Sequence, residues 1–382
     1  MIISFLKKIR QPNYQPLNKI EISSDRLLAN FRFLKNLQPK SEIIPVLKSN
    51  AYGHGLREVC QIINGHAKMI AVDSFPEAQI AYRYFKGKVL IIGEMPLEAY
   101  LYCRPKKTEF CVYNDQTLKF LANHFLKPSI HLFVNTGMNR EGIKNLPDFL
   151  ERNKNFLKKV KITGLCSHLA SAETDAYLNK KQEQSFLNCL ELLNANKIHP
   201  KFIHLGNSAG TFTLNNSKLN AFRCGLSFYG YNPFPSESPH HKSAEALSPA
   251  LRVVSQIVAF QDLINGDSVS YNETYRSENQ EKIAVVPFGY HEGLPRSLSN
   301  KGKLKVISKN KNFWASVIGK ICMNLACIQI GDEKVQLGSP VEIVSWNKNE
   351  HNSLENLAKN ANLIIYEFLI HLDSKIRREV VK

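Results

Sequence analysis

The chain has 382 residues, is 43% hydrophobic, and carries 50 Lys and Arg against 33 Asp and Glu, a formal net charge of +17. That length can bury sizeable cores, with two domains as the natural prior. No uninterrupted apolar run approaches the ~18 residues of a membrane span, and residues 1–8 have too short an apolar stretch, with their charge on the wrong side, for a secretory signal.

The eight cysteines lie scattered without C-x-x-C spacing, which argues for reduced thiols in a cytoplasm over a disulfide framework or a zinc knuckle. The basic residues are spread along the chain. The one local run, Lys154 to Lys161, is interrupted by Phe156, Leu157 and Val160, as a solvated face would be. We read the charge as favouring anionic small molecules and solubility, with nucleic acid as the weaker alternative and no membrane partner.

Taken in chain order, a capped amphipathic helix opens at 25–37 after Ser23-Ser24, with Leu27, Leu28, Phe31 and Leu34 on one face. Short apolar strands then alternate with helical patterns. Strands are expected at 42–48, 68–72, 89–92, 109–113, 130–134, 160–165, 202–205 and 222–224, and helices at 56–63, 76–85, 116–125 and 182–193. Eight strand–helix units suit a (β/α)8 barrel, although alternation alone also permits a doubly wound sheet.

Position favours the barrel, because polar motifs collect at the C-terminal ends of five strands: Lys48, Asn139-Arg140, Ser167-His168, Gly206-Asn207-Ser208-Ala209-Gly210 and Arg223-Cys224-Gly225. Residues 232–249, rich in Pro, Ser, Asn and His, read as a linker or surface excursion, and His240-His241 as part of an exposed loop and not a metal site. Beyond it, strands at 252–260, 283–287, 304–307, 315–318, 323–330 and 341–344, with one helix at 353–360, make a mainly β domain. The expected domains are thus 15–245, a barrel, and 246–382, mainly β; residues 1–14 could pack with the β domain.

An amine at a strand end can form an imine with an aldehyde cofactor if it is desolvated enough to be partly neutral. Asn207-Ser208-Ala209-Gly210 is a small polar turn able to open a helix and bind an anion, and Gly225 and Leu226 offer backbone donors after the eighth strand.

The wording around Lys48, Val46-Leu47-Lys48-Ser49-Asn50-Ala51-Tyr52-Gly53-His54-Gly55, resembles the V-K-A-N-A-Y-G-H-G signature of alanine racemases, and further motifs follow in that family's order along nearly the whole chain. The resemblance implies pyridoxal 5'-phosphate held on Lys48 and racemisation of L- and D-alanine by two bases. Lys48 serves one face of the substrate. Tyr271, in Ser270-Tyr271-Asn272-Glu273-Thr274-Tyr275, serves the other, reaching the site from the partner subunit of a homodimer.

It further implies that His168 hydrogen-bonds the second base, that Tyr52 and Tyr366 join Asn207, Ser208, Gly225 and Leu226 around the phosphate, and that Arg223 faces the pyridine nitrogen. A guanidinium there cannot readily supply a proton, so the ring is a weaker electron sink than it would be beside a carboxylic acid. Arg140 and Met323 match groups that contact the substrate carboxylate. No metal is implied. The product would be D-alanine for peptidoglycan.

Departures from the family pattern bear on substrate choice. Asn324 follows Met323 where Asp is usual, Gly289-Tyr290-His291-Glu292-Gly293 replaces G-Y-A-D-G, Phe133 stands in place of a lysine that is carbamylated in many members, Asn135 replaces Asp, and Ser374-Lys375-Ile376-Arg377-Arg378 matches the family's ending loosely. A racemase of serine, lysine or a broader set, and an inactive cofactor-binding paralogue, are the alternatives.

Overall fold

The computed structural model describes residues 15–308 and 311–382, so the expectation for residues 1–14 lies outside the described residues. Contacts divide the chain into two compact units: Ser23–Ala250 with Val380–Lys382, and Leu251–Glu379 with the described residues up to Ile22.

The larger unit contains eight parallel strands: β2 (Glu42–Pro45), β3 (Met69–Val72), β4 (Lys88–Ile91), β5 (Thr108–Val112), β6 (Ser129–Phe133), β7 (Lys161–Cys166), β8 (Phe202–His204) and β9 (Ala221–Cys224). β1 (Lys19–Ser23) precedes them. β3 to β8 form one sheet in sequence order, without the reversal that defines a doubly wound sheet, and β2 pairs with β9 separately.

The eight strands thus pair as a ladder of six and a ladder of two, and the ladders by themselves do not close into one ring. Isolated backbone bonds bridge them, Leu47 N–H to Ala71 O at 2.7 Å on one side and Asn220 N–H to Ile203 O at 3.1 Å and Arg223 N–H to Gly206 O at 3.0 Å on the other. Two local features limit closure by ladders: β2 ends on Pro45, which has no N–H to donate, and β8 is only three residues long.

Alternation decides what these strands bury. One face contributes Ile44, Met69, Ala71, Leu90, Cys111, Phe133, Cys166 and Ala221 to a single apolar cluster. Side chains from seven strands meeting in one cluster require a strongly curled sheet. The helices outside are locally well specified. Ser23 caps Ser24–Leu37 by accepting from Arg26 N–H, Asn114 caps Asp115–His124, and Asp175 caps Ala176–Ala195. The lysines of the 154–161 run are exposed, while Val160 is buried.

The second unit is antiparallel. Its strands are β10 (Leu251–Gln256), β11 (Ala259–Leu263), β12 (Glu281–Val286), β13 (Lys303–Val306), β14 (Phe313–Ile318), β15 (Ala326–Gln329), β16 (Pro340–Val344) and β17 (Arg377–Val381). Their order is β11-β12-β15-β14-β13-β16-β10-β1-β17. The expected strand at 252–260 is two strands, because the chain leaves β16 for β12 at Ile257–Val258: Ile257 N–H bonds Ser339 O, and Val258 N–H bonds Val285 O. The helices Leu354–Ala361 and Ile365–His371 lie between β16 and β17 in the chain.

Candidate active site

Lys48 is placed by its two neighbours. Val46 N–H donates to Cys224 O at 2.9 Å and Leu47 N–H to Ala71 O at 2.7 Å, so the chain is clamped to β9 on one side and β3 on the other just before the lysine. Its amine is half-buried, 3.9 Å from the Asp73 carboxylate. Then Ser49, Asn50, Ala51 and Tyr52 all adopt φ of 52–54°, a left-handed turn built without glycine. Each such residue costs roughly 1–2 kcal/mol, so the turn persists only because its surroundings fix it. Glu77 accepts from Ser49 N–H (2.6 Å) and Asp73 N–H (2.8 Å), tying the turn to the end of β3. Asn50 Oδ1 accepts from Leu56 N–H at 2.9 Å.

The turn delivers Tyr52 to the loop after β9. A Cβ on Gly225 would lie 2.4 Å from the Tyr52 hydroxyl, so only glycine lets that phenol stand against bare backbone. Ser208 Oγ accepts from Gly225 N–H at 3.1 Å and Ser227 N–H at 3.2 Å, and Asn207 Oδ1 accepts from Gly210 N–H at 3.0 Å. Leu226 is buried in the same turn. The helix expected to open here is one turn, Gly210–Thr213. A phenol and a serine hydroxyl beside bare backbone with an unfilled Cβ position are a setting suited to a phosphate.

Arg223 is buried on β9 and its two terminal nitrogens are fully engaged. Nη1 donates to His204 Nδ1 (2.6 Å) and His204 O (2.8 Å); Nη2 donates to Ser167 O and to His168 Nδ1 (3.3 Å). Among the described residues only Nε–H is left without a protein acceptor, so that single donor is the one available to a ligand. Burial first, then the charges of Arg223, Arg140 and Lys48, lower the His168 pKa to about 3. His168 is therefore neutral, and because Nδ1 accepts from Arg223 its proton resides on Nε2. Gln182, fully buried in the helix Ala176–Ala195, holds the segment by donating to His168 O (3.0 Å) and accepting from Ala170 N–H (2.8 Å). Arg140 is more exposed and forks onto the Glu141 carboxylate.

The structure thus gathers Lys48, Tyr52, His168, Asn207, Ser208, Arg223, Gly225 and Leu226 along the C-terminal ends of parallel strands in the larger unit, with Arg140 after β6. Tyr271, Met323 and Tyr366 belong to the second unit and are exposed. There Ser270 Oγ donates to Lys320 O at 2.6 Å and lies 3.3 Å from Cys322 Sγ, which brings the turns of Tyr271 and Met323 side by side. The departures at Asn324 and Glu292 touch one another: the Asn324 amide donates to Glu292 Oε1 at 2.8 Å, where an aspartate would set two carboxylates together.

Sequence reading missed Asp73, Glu77 and Glu141, and also a buried polar line of Glu109, His131 and His204. The signal available for that line was one ionisable side chain, a carboxylate or an imidazole, in each of three short, mostly apolar strands. Among the described residues no group of three or more His, Cys, Asp and Glu could hold a metal ion, and no helix is long and apolar enough to cross a membrane.

A curled parallel sheet with an amine, a polar turn and a buried guanidinium at the C-terminal ends of its strands, in a chain with a second, mainly antiparallel unit, defines a two-unit α/β enzyme. The model of the alanine racemase N-terminal domain matches residues 22–233, and that of the alanine racemase C-terminal domain residues 250–380. An alanine racemase of Staphylococcus carnosus is 29% identical over 385 residues, covering 97% of this chain and 95% of its own. One of Clostridium perfringens (strain SM101) is 30% identical over 370 residues, with 94% of each covered. The solved alanine racemase of Clostridium difficile 630 superposes with a TM-score of 0.86 at 26% identity, covering 97% of both chains. The chain belongs to the alanine racemase family.

Proposed function

We propose that the protein interconverts L- and D-alanine with pyridoxal 5'-phosphate, supplying D-alanine for peptidoglycan. The observation that carries this reading is the conjunction, on one strand-end surface, of the Lys48 amine, the bare-backbone cradle at Gly225 and Tyr52, and an Arg223 with one N–H to spare. These groups fit the cofactor's aldehyde, phosphate and ring nitrogen in turn. When bound, the cofactor acidifies the substrate α-hydrogen by accepting electron density from it.

The chain's own groups do the rest. Tyr52, Ser208 and Asn207, with the backbone of Gly225 and Leu226, hold the phosphate, with Tyr366 as a further phenol. Arg223 would offer its Nε–H to the ring nitrogen and, having no readily released proton, would leave the ring unprotonated. Arg140 binds the substrate carboxylate, with Met323 beside it. Lys48 moves a proton on one face and Tyr271 on the other, since inversion requires delivery opposite to removal.

We further propose a homodimer in which Tyr271 and Met323 serve the partner's site. Supporting it, Tyr271, Tyr290, Met323 and Leu325 are all exposed, on turns linked by Tyr290 N–H to Cys322 O, Cys322 N–H to Leu325 O and the Ser270 Oγ–Cys322 Sγ contact. His168, protonated on Nε2, would donate to the Tyr271 oxygen. The eight strands are proposed to work as a (β/α)8 barrel, on the strength of their shared inward cluster. A cytoplasmic location is proposed on the eight free thiols.

Purified protein should show a visible absorption band from bound cofactor, borohydride should fix that cofactor to Lys48, and chiral chromatography should show alanine enantiomers interconverting. A colourless protein that takes up no cofactor would remove the reading. Turnover of serine or lysine in preference to alanine would redirect the substrate.

A further inference from the structure

Beneath the site, a line of buried polar side chains crosses five consecutive strands. Glu109 lies on β5, His131 on β6, Thr163 and Gly164 on β7, His204 on β8 and Arg223 on β9. His131 and His204 are both fully buried, and Glu109 is nearly so. His131 Nε2 is 2.9 Å from Glu109 Oε2, His131 Nδ1 is 2.7 Å from His204 Nε2, and His204 Nδ1 is 2.6 Å from Arg223 Nη1. Thr163 donates to the same Glu109 oxygen at 2.6 Å.

The line can bypass β7 for a specific reason. Gly164 is the registered neighbour of His131, and a Cβ there would sit 2.2 Å from His131 Nδ1. Glycine leaves the gap through which the two imidazoles meet.

The two ends determine the direction of every proton. Arginine can only donate, so His204 Nδ1 must accept and its hydrogen lies on Nε2. That hydrogen points at His131 Nδ1, which must accept in turn, leaving the His131 hydrogen on Nε2 facing the carboxylate. An ionised carboxylate can only accept, so both ends agree on one arrangement. A protonated Glu109 donating to His131 would reverse each step and set a donor on His204 against a donor on Arg223.

We propose that Glu109 and His131 are positioning residues: Glu109 fixes His131 with Nδ1 as an acceptor, His131 holds the His204 ring by its Nε2–H, and His204 thereby fixes the Arg223 guanidinium, turning its free Nε–H toward the ligand site. The tautomer order is independent of what that donor meets; only the catalytic consequence rests on the reading of Arg223 given above. The directions of the pKa shifts agree. Burial and the Arg223 charge hold His204 well below the ordinary imidazole value. Burial pushes Glu109 up, but the hydrogen bond and attraction of His131, the Thr163 hydrogen bond and the Lys88 charge together leave the carboxyl below its usual value.

The test is 15N NMR of histidine-labelled full-length protein, with and without added pyridoxal 5'-phosphate, the signals being assigned through single His→Gln variants. The expected result is a bare Nδ1 and a protonated Nε2 on both His131 and His204, in either preparation. An Nδ1–H tautomer or an imidazolium at either position overturns the proposal, whether or not the cofactor reading stands.

Glu109→Leu should free His131 to carry its hydrogen on Nδ1, against the His204 Nε2–H; the broken imidazole–imidazole bond should change the His131 signals, shift the absorption band of the loaded protein and lower kcat by on the order of tenfold, with KM changed less than about twofold. Glu109→Gln, whose carbonyl can still accept from both His131 and Thr163, should restore the His131 tautomer and most of kcat. A Glu109→Leu protein that keeps the wild-type His131 signals and band would refute the positioning role. Should that variant not fold, the spectrum of the unsubstituted protein still decides the order.

Discussion

Arg140 and Glu141, adjacent in sequence, form a two-pronged ion pair: Nε and Nη2 of the guanidinium meet Oε2 and Oε1 of the carboxylate at 2.5 and 2.7 Å. Arg140 lies after β6, and with Phe133 in the strand before it, its neighbouring anion comes from the next residue in the chain. The pair ties up one edge of the fork and leaves the Nη1 side for a substrate carboxylate. With more than half of the Arg140 side chain exposed, such a pair is worth no more than about 1 kcal/mol. Glu141→Gln should therefore raise KM for the amino acid by up to about fivefold with kcat nearly unchanged. Arg140→Lys, which loses the planar fork, should raise it further. Steady-state kinetics in both directions measures this, and an unchanged KM in both variants would detach Arg140 from substrate recognition.

Gly225 offers a sharper test of the cradle. A methyl group there must displace the Tyr52 phenol, which is also constrained by its ring contact with Tyr229 at 5.1 Å. Overpacking of this kind costs typically 1–3 kcal/mol. Gly225→Ala should therefore weaken cofactor binding by about tenfold or more while the far-ultraviolet circular dichroism stays the same. Titration of cofactor into stripped protein, read by absorbance, gives the affinity.

How far the sequence anticipates these features depends on whether the information is local. Apolar runs bounded by turn residues located β2 to β9 to within one to three residues, since each strand is buried and short. Partner choice is not local. Nothing within residues 252–260 marks the switch from β16 to β12, and β1, with Ile20 and Ile22 buried and Glu21 paired to Arg252, was invisible without the strand it joins. The site was legible where a motif spelled it, around Lys48, Arg140, His168 and Arg223. Glu109, His131 and His204 were not, because a polar residue in an apolar strand has no meaning until the register places it beside another.

The buried imidazoles set how stability depends on pH. His168 titrates at about 3 in the folded protein against 6.5 for the ordinary group, and His204 is shifted in the same direction. A histidine whose folded value is depressed binds a proton in the unfolded chain before it does in the fold, so its contribution is complete above about 6.5 and is lost as pH falls toward 3. Glu77 and Glu355, which burial raises above the usual carboxyl value, work in the opposite sense. They act from the unfolded value of 4.5 upward to their raised folded values, and over that span they offset part of the histidine slope. Urea midpoints should decline steadily between pH 7 and 5, and His168→Gln should flatten that slope. A wild-type midpoint that does not change over this range would contradict neutral burial of the ring.

The last prediction concerns Tyr271, which lies 64% exposed on a short turn after Ser270. Removing a hydroxyl from so exposed a side chain should change stability by less than about 0.5 kcal/mol, so Tyr271→Phe separates chemistry from folding more cleanly than any change in the larger unit. If Lys48 and Tyr271 serve opposite faces, the variant should lose proton removal from one alanine enantiomer by on the order of a hundredfold. Removal from the other, which Lys48 performs, should be far less affected. Single-turnover exchange of the α-deuterium out of each labelled enantiomer reads the two half-reactions separately, where overall racemisation would report only their sum. Equal loss from both enantiomers would mean that one group serves both faces. An intact rate from both would mean that the exposed phenol of the second unit takes no part, and the dimeric arrangement proposed for it would lose its chemical basis.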